Sequence, residues 1–264
     1  MELPIYQVDA FASRVFAGNP AAVMPLPHWL DDATLQAIAM ENNLSETAFL
    51  VRCDRGHELR WFTPAVEVRL CGHATLAAAH VLFEHLGHSG DQLQFQTLSG
   101  ELRVTRAGRQ LTLDFPATSL VTAEVDLGVC KALGAIASEA LMPSENPHAL
   151  VYVYEFERDV AGLRPDFAAL RVATELCVIA TAPGDECDFV SRYFGPQIGI
   201  DEDPVTGSAH CALTPYWSRR LKQDKLQARQ ISARGGELAC ELRGARVLMT
   251  GSAVTYMHGT VAGL

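Results

Sequence analysis

Two stretches far apart in the chain carry the same pattern, and this limits the possible folds more than any composition figure does. Arg60-Trp61-Phe62-Thr63-Pro64 falls on Arg192-Tyr193-Phe194-Gly195-Pro196 at an offset of 132 residues, and Cys71 then falls on Asp203. At an offset of 136, Gly100-Glu101-Leu102 falls on Gly236-Glu237-Leu238, Gly108 on Gly244, Leu111 on Val247 and Leu113 on Met249. Strand, proline stop, loop, apolar helix, Gly-Glu-Leu strand and glycine turn thus occur twice in the same order. Repetition at a near-constant period marks repeated structural units. A chain of 264 residues has room for two ordinary domains. The expectation is two pseudo-equivalent halves, 1–117 and 118–264, joined in the Pro116–Thr122 segment, with the last strand a candidate to pack on the first half.

Within each half the pattern reads as strands with few helices, which favours an α+β fold over a doubly wound sheet. Ile5–Phe11 alternates as a strand, and Gly18-Asn19-Pro20 turns the chain into Ala21-Ala22-Val23. Asp31 or Asp32 caps a helix to about Asn42. Ser45-Glu46-Thr47 leads into the strand Ala48–Val51. Cys71-Gly72-His73 precedes a strongly apolar helix, Ala74 to about Leu86, and three strands follow over 92–115. In the second half, helices are expected near Asp126–Leu133 and from Asp166 to about Glu175. Strands are expected at 150–154, 176–181 and 189–194. An apolar helix then runs to about Leu221, followed by strands near 230–233, 237–242, 246–250 and 253–258.

The stretch Asp201-Glu202-Asp203-Pro204-Val205-Thr206-Gly207-Ser208 sits at the start of that second apolar helix. Free amides at a helix N-terminus, with the dipole behind them, hold anions. A carboxylate beside them fits an acid–base group next to an anion pocket, and it fits an N-cap on an ordinary helix as well. If the halves are related by a pseudo-twofold axis, Cys71-Gly72-His73 and Asp203–Ser208 would line one cleft. Each dipole would then contribute about 0.5–1 kcal/mol toward a bound carboxylate or an enolate formed beside it.

Several function classes are disfavoured. A net charge of −10 lacks the basic footprint that nucleic acid or an anionic membrane requires. Seven cysteines without a C-x-x-C pair point to reduced thiols and a cytoplasmic location. The opening Met1-Glu2-Leu3-Pro4 has no secretory leader pattern, and no apolar run reaches membrane-spanning length. His80, His85 and His88 include no i, i+4 pair and no carboxylate placed to join them, so no metal site is expected there. No G-x-G-x-x-G follows a strand to open a helix.

Five motifs, in order and spread over nearly the whole chain, carry a resemblance. They are Gly18-Asn19-Pro20-Ala21-Ala22-Val23, Asn43-Leu44-Ser45-Glu46-Thr47-Ala48-Phe49, Arg60-Trp61-Phe62-Thr63-Pro64, Cys71-Gly72-His73-Ala74-Thr75 and Glu202-Asp203-Pro204-Val205-Thr206-Gly207-Ser208-Ala209. Together they resemble the phenazine-biosynthesis PhzF-like family, which has the diaminopimelate epimerase-like fold. The resemblance implies two halves, each an antiparallel sheet curled around a central helix, here about 73–86 and 207–221. It implies a cofactor-independent isomerase of a small carboxylic acid, with no metal, that acts as a homodimer. By motif position Glu46 is the acid–base residue, with His73 and Asp203 completing the catalytic set. Asn19, Ser45, Gly72, Gly207 and Ser208 would contact substrate. Cys71 departs from the small residue that the phenazine enzyme carries. This keeps open a racemase or epimerase reading that pairs Cys71 with Asp203, alongside a small-residue-like buried role for the thiol. A non-catalytic binding or interaction protein on the same fold is the remaining alternative.

Overall fold

In the computed structural model, which describes residues 2–263, the chain divides into two compact units. The first runs to Phe115 and resumes at Met249; the second is Pro116–Leu248. The cut falls between Phe115 and Pro116, and the chain's end returns to the first unit. The first unit contains β1 (Leu3–Ala10), β2 (Asn19–Leu26), α1 (Asp32–Asn42), β3 (Glu46–Cys53), β4 (Gly56–Phe62), β5 (Glu67–Val68) and α2 (Gly72–Glu84). β6 (Gln92–Thr97), β7 (Gly100–Ala107) and β8 (Gln110–Pro116) follow. The second contains β9 (Leu120–Ala123), α3 (Leu127–Leu133), β10 (Glu139–Pro143), β11 (Ala149–Val153), α4 (Glu157–Gly162), α5 (Phe167–Ala173) and β12 (Cys177–Pro183). It continues through β13 (Phe189–Gly195), β14 (Ile200–Asp203), α6 (Gly207–Leu221), β15 (Lys225–Gln230) and β16 (Gly236–Arg243), and the boundary falls within β17 (Arg246–Gly251). The last strand, β18 (Ala253–Val261), pairs antiparallel with β1 from Leu3↔Val261 to Ala10↔Ala253.

The repeat is a repeat of strand pairing. In the first unit β1 and β2 are antiparallel, β2 and β3 parallel, β3 and β4 antiparallel, β4 and β6 parallel, and β6 and β7 antiparallel. The second unit gives the same series with β10, β11, β12, β13, β15 and β16. The sheets are thus mixed, with parallel pairs set into a mainly antiparallel ladder. The parallel pairs come where a helix carries the chain back across the sheet: α1 between β2 and β3, α2 between β4 and β6. Strands covered on both faces read as unbroken apolar runs, such as Ala21–Met24 and Cys177–Ala180.

Each sheet encloses a central helix. Nearly every residue of α2 is buried, and it packs on β1, β2, β3 and β18. A helix that is apolar all round has no solvent face to offer. On the other side of the first sheet, Leu35, Ile38 and Ala39 of α1 pack with Leu3, Met24, Leu26, Phe49 and Phe62. In the second unit α3, α4 and α5 cover one face through Val129, Leu133, Val160 and Leu170. The central α6 contains Pro215, which has no N–H for the Cys211 carbonyl. The Thr118 amide donates to that carbonyl instead, at 2.9 Å.

The shared R-aromatic-F motif has a structural reason. Arg60 forms a bidentate pair with Glu67 (2.7 and 2.8 Å), and its third nitrogen reaches Asp32 in the first turn of α1 at 2.9 Å. Arg192 does the same with Glu202 (2.7 and 2.9 Å) and donates to the carbonyls of Val160 and Leu163. Each guanidinium also lies over the phenylalanine two residues on, Phe62 or Phe194, at 5.1 and 4.9 Å. Each clamp fastens the short strand that precedes a central helix.

Some sequence expectations shift. The strand expected near 230–233 is Lys225–Gln230, because Leu226, Ala228 and Gln230 are its inward residues and 231–235 form a loop. β9, β10, β14 and α4 were not expected; they are short and owe their form to the ladders and loops around them. The repeat offset also grows between the halves. A 3₁₀ turn, Pro196–Ile198, lengthens the second loop, so Gly72 corresponds to Gly207 and Cys71 to Thr206, not to Asp203.

Removing one member of a largely buried ion pair strands the other. Arg192→Met is expected to destabilise the fold by about 3 kcal/mol in urea unfolding, with Arg192→Lys recovering under half, since a lysine cannot make the two-pronged contact. In a double-mutant cycle with Glu202→Gln the two losses should be strongly non-additive.

Candidate active site

The first unit gathers Asn19, Glu46, Cys71 and His73. Asn19 is placed by Gly18, whose positive φ of 67° would bring any Cβ within 2.1 Å of the Ala10 carbonyl oxygen. Asn43 caps α1 in the left-handed conformation, its N–H donating to the Ala39 carbonyl, and turns the chain so that Glu46 opens β3. Ser45, half-buried, immediately precedes it. Cys71 is the N-cap of α2 but makes no side-chain cap bond. Gly72 is the helix's first residue and His73 its second, so His73 points from the first turn with the dipole's positive end at its back.

His73 is the centre of this group. It is 4% exposed. Its Nε2 lies 3.1 Å from Glu46 Oε2, and neither atom has another partner among the described residues. Its Nδ1 lies 3.2 Å from Asn19 Nδ2 and 3.5 Å from Cys71 Sγ. Burial alone would lower the histidine pKa. The neighbouring Cys71 and Glu46 acids outweigh it, and His73 is raised well above the ordinary histidine value. Burial and then the Glu46 charge raise the Cys71 thiol, so near neutral pH it is uncharged. The partner that keeps the imidazolium charged there is therefore Glu46. In the neutral ring Nε2–H donates to Glu46 and Nδ1 accepts from the Asn19 amide. In the imidazolium Nδ1–H turns outward to the sulfur, or to the amide oxygen once the Asn19 amide has flipped.

Glu46, Cys71 and His73 present possible metal-ligand atoms within 4.8 Å of one another. The contacts diverge, however: Glu46 meets Nε2 and Cys71 meets Nδ1, on opposite sides of the imidazole. One ion cannot lie in line with both ring nitrogens, so the arrangement fits proton transfer through the ring better than a shared cation.

The second unit holds Asp203, Gly207 and Ser208. Asp203 pairs with Tyr193 in the β13–β14 ladder and is 8% exposed. It is not the N-cap of α6; Thr206 is. The ladder keeps Asp203 extended, and Pro204-Val205 separate it from the helix, so Pro204 does not open the first turn. The Thr206 hydroxyl donates to Asp203 Oδ2 in a short contact. The Thr206 amide is not free for an anion, because it donates to Gln230 Oε1 at 2.8 Å. Gly207 is buried and Ser208 exposed.

Gln230 escaped sequence reasoning. It is 1% exposed, and its Nε2 donates to the Asp203 carbonyl (2.7 Å) and to Thr206 Oγ1 (3.1 Å). The signal was present, since a glutamine continuing the inward series Leu226 and Ala228 needs a buried partner. His210 lies one residue beyond the motif that ends at Ala209. Its Nδ1–H donates to the Thr206 carbonyl at 2.8 Å, and burial pushes its pKa down to about 4, so it is neutral.

Residues 8–259 match the family described as phenazine biosynthesis-like protein, PhzC-PhzF. This chain belongs to that family. A Pseudomonas aeruginosa relative named as an uncharacterized isomerase is 52% identical over 99% of each chain. A crystal structure of a PhzF-family protein from Enterococcus faecalis is 47% identical, covers 99% of this chain and 100% of its own, and superposes with a TM-score of 0.95. A hydroxyproline epimerase from Agrobacterium vitis, 11% identical over 98% of this chain and 92% of its own, shares the fold alone at a TM-score of 0.62. The fold of this PhzC-PhzF family member is thus diaminopimelate epimerase-like. No helix among the described residues is long and apolar enough to cross a membrane.

Because the folded pKa of His73 lies above its unfolded value of about 6.5, its charge stabilises the fold fully below that pH. The contribution is lost as pH rises through the folded value. Glu46→Gln removes the partner, so NMR titration should find the His73 ring losing its proton at lower pH than in the wild type. Gln230→Leu orphans the Asp203 carbonyl and the Thr206 amide. It should cost roughly 1–3 kcal/mol in denaturant unfolding and leave the His73 titration unchanged.

Proposed function

We propose that the protein is an isomerase that moves a proton between carbons of a small carboxylic acid, with Glu46 as the acid–base residue. The observation that carries this reading is the buried Glu46–His73 pair at the N-terminus of α2. His73 occupies Oε2, which orients the carboxylate and leaves Oε1 to accept a proton from carbon and return it elsewhere. The imidazolium beside it orders the carboxylate's geometry, as an orienting third group does in other acid–base sites. The α2 amides and Asn19 favour a substrate carboxylate and the enolate-like charge that develops next to it. Asp203, Gly207 and Ser208 are the second unit's candidates for substrate contact, with Asp203 held by Thr206 and Gln230. Names of relatives such as the uncharacterized isomerase support the reaction class.

A racemase or epimerase using Cys71 draws support from the thiol lying 3.5 Å from His73 and from the epimerase fold. Two facts weigh against it. Burial holds the thiol protonated, and the residue equivalent to Cys71 in the second unit is Thr206, which has no acid–base role near neutral pH.

One experiment separates these readings from a purely binding role. Small unsaturated and amino carboxylic acids are incubated with the protein in deuterium oxide, and solvent deuterium entering carbon is followed by NMR. The isomerase reading expects exchange that Glu46→Gln slows by at least about 100-fold and Cys71→Ala only slightly. Loss of exchange in Cys71→Ala with Glu46→Gln still active would establish the epimerase instead. No exchange with any acid that binds would leave a binding protein.

A further inference from the structure

A cavity in the first unit shares no residue with the Glu46 group. It has a volume of about 450 Å³, within the usual range for small-molecule sites. Its walls come from the ends of three strands and the exit of α2. Pro25, Leu26 and Leu50 form the base, and Leu82 and Leu86 the helix side. Leu86 is 45% exposed and makes an apolar lip. The polar wall is Arg52, His57 and His88.

The charge pattern is unusual for a chain with a net charge of −10. None of the residues lining this cavity is acidic. Arg52 and His57 stand directly opposite each other across β3 and β4, which sets both side chains on the same wall of the cavity. His88 reaches them from the turn after α2, where its Nε2–H donates to the Gln92 carbonyl at 3.0 Å. His57 Nδ1 is buried without a hydrogen-bond partner. Burial first, and then the Arg52 charge and His88, lower the proton affinity of His57. An arginine and two histidines on one side, and leucines on the other, are complementary to a ligand with an anionic head and an alkyl tail.

We infer that this cavity is a binding site for a small aliphatic carboxylate, with its head between Arg52, His57 and His88 and its tail on Leu50, Leu82 and Leu86. The site is separate from the isomerase reading and would stand if that reading failed.

Hexanoate is the probe, with hexan-1-ol as the uncharged control, and the readout is the ¹³C-methyl spectrum of leucine-labelled protein. A local readout is needed because the Glu46 site would also take carboxylates. Hexanoate should shift the Leu50, Leu82 and Leu86 methyls saturably in the millimolar range, and hexan-1-ol should need a clearly higher concentration. Arg52 is exposed, so Arg52→Gln should leave the thermal melt unchanged. It should weaken hexanoate about tenfold, the loss of one charge-assisted contact, and leave hexan-1-ol unaffected. His57→Gln is the second variant, with a loss of the same direction. Equal binding of hexanoate and hexan-1-ol, unchanged hexanoate binding in both variants, or no shift of these methyls would overturn the proposal.

Discussion

An arginine clamped through two hydrogen bonds to a glutamate fixes where each central helix begins. Arg60 holds Glu67 and Arg192 holds Glu202, and in each unit the glutamate lies five residues before the first helical glycine. The planar guanidinium accepts only one geometry for such a pair, and the phenylalanine beneath it removes much of the remaining freedom. Arg60 also ties down the start of α1, and Arg192 the carbonyls at the end of α4. The helix N-termini, and with them Cys71, Gly72, His73, Gly207 and Ser208, inherit their placement from these two clamps.

At the first of those termini, burial and charge act in opposition. A lone histidine as buried as His73 would be neutral, as His210 is. Glu46 reverses the outcome because it is close to Nε2 and itself largely shielded from water. The same two histidines show that position on a helix does not decide protonation. His73 and His210 both lie in the first turn or so of a central helix, and only the one with a carboxylate in contact carries charge. Cys71 sits at the positive end of a helix dipole, yet burial and Glu46 keep its proton on. Burial, more than the Glu46 charge, outweighs the dipole's fraction of a charge.

Much of the architecture was legible because it is encoded locally. Asp31 and Asp126 cap α1 and α3 as their positions suggest, and Gly108 and Gly244 turn the hairpins between strands. Asn19, Glu46, Cys71 and His73 were named from motifs, and the fold brings those four together. What was hidden depends on contacts between distant segments. Gln230 looks like one polar residue in an ordinary strand until the Asp203–Thr206 loop folds onto it. Asp203 looked like a helix cap because the tie of β14 to β13 cannot be seen in a linear chain.

The sequence by itself determined the twofold repeat, the apolar central helices and the family, since periodicity, capping residues and ordered motifs are properties of neighbours along the chain. Only the tertiary structure decided which residue carries charge, which amide remains free and which unit owns the last strand. Protonation of His73 depends on a carboxylate 27 positions away in sequence and 3.1 Å away in space. The Thr206 amide is taken by a side chain from another strand, and β18 joins the first unit because β1 offers it a full antiparallel ladder. Electrostatics and hydrogen bonding act through distance in space, and chain order alone does not fix that distance.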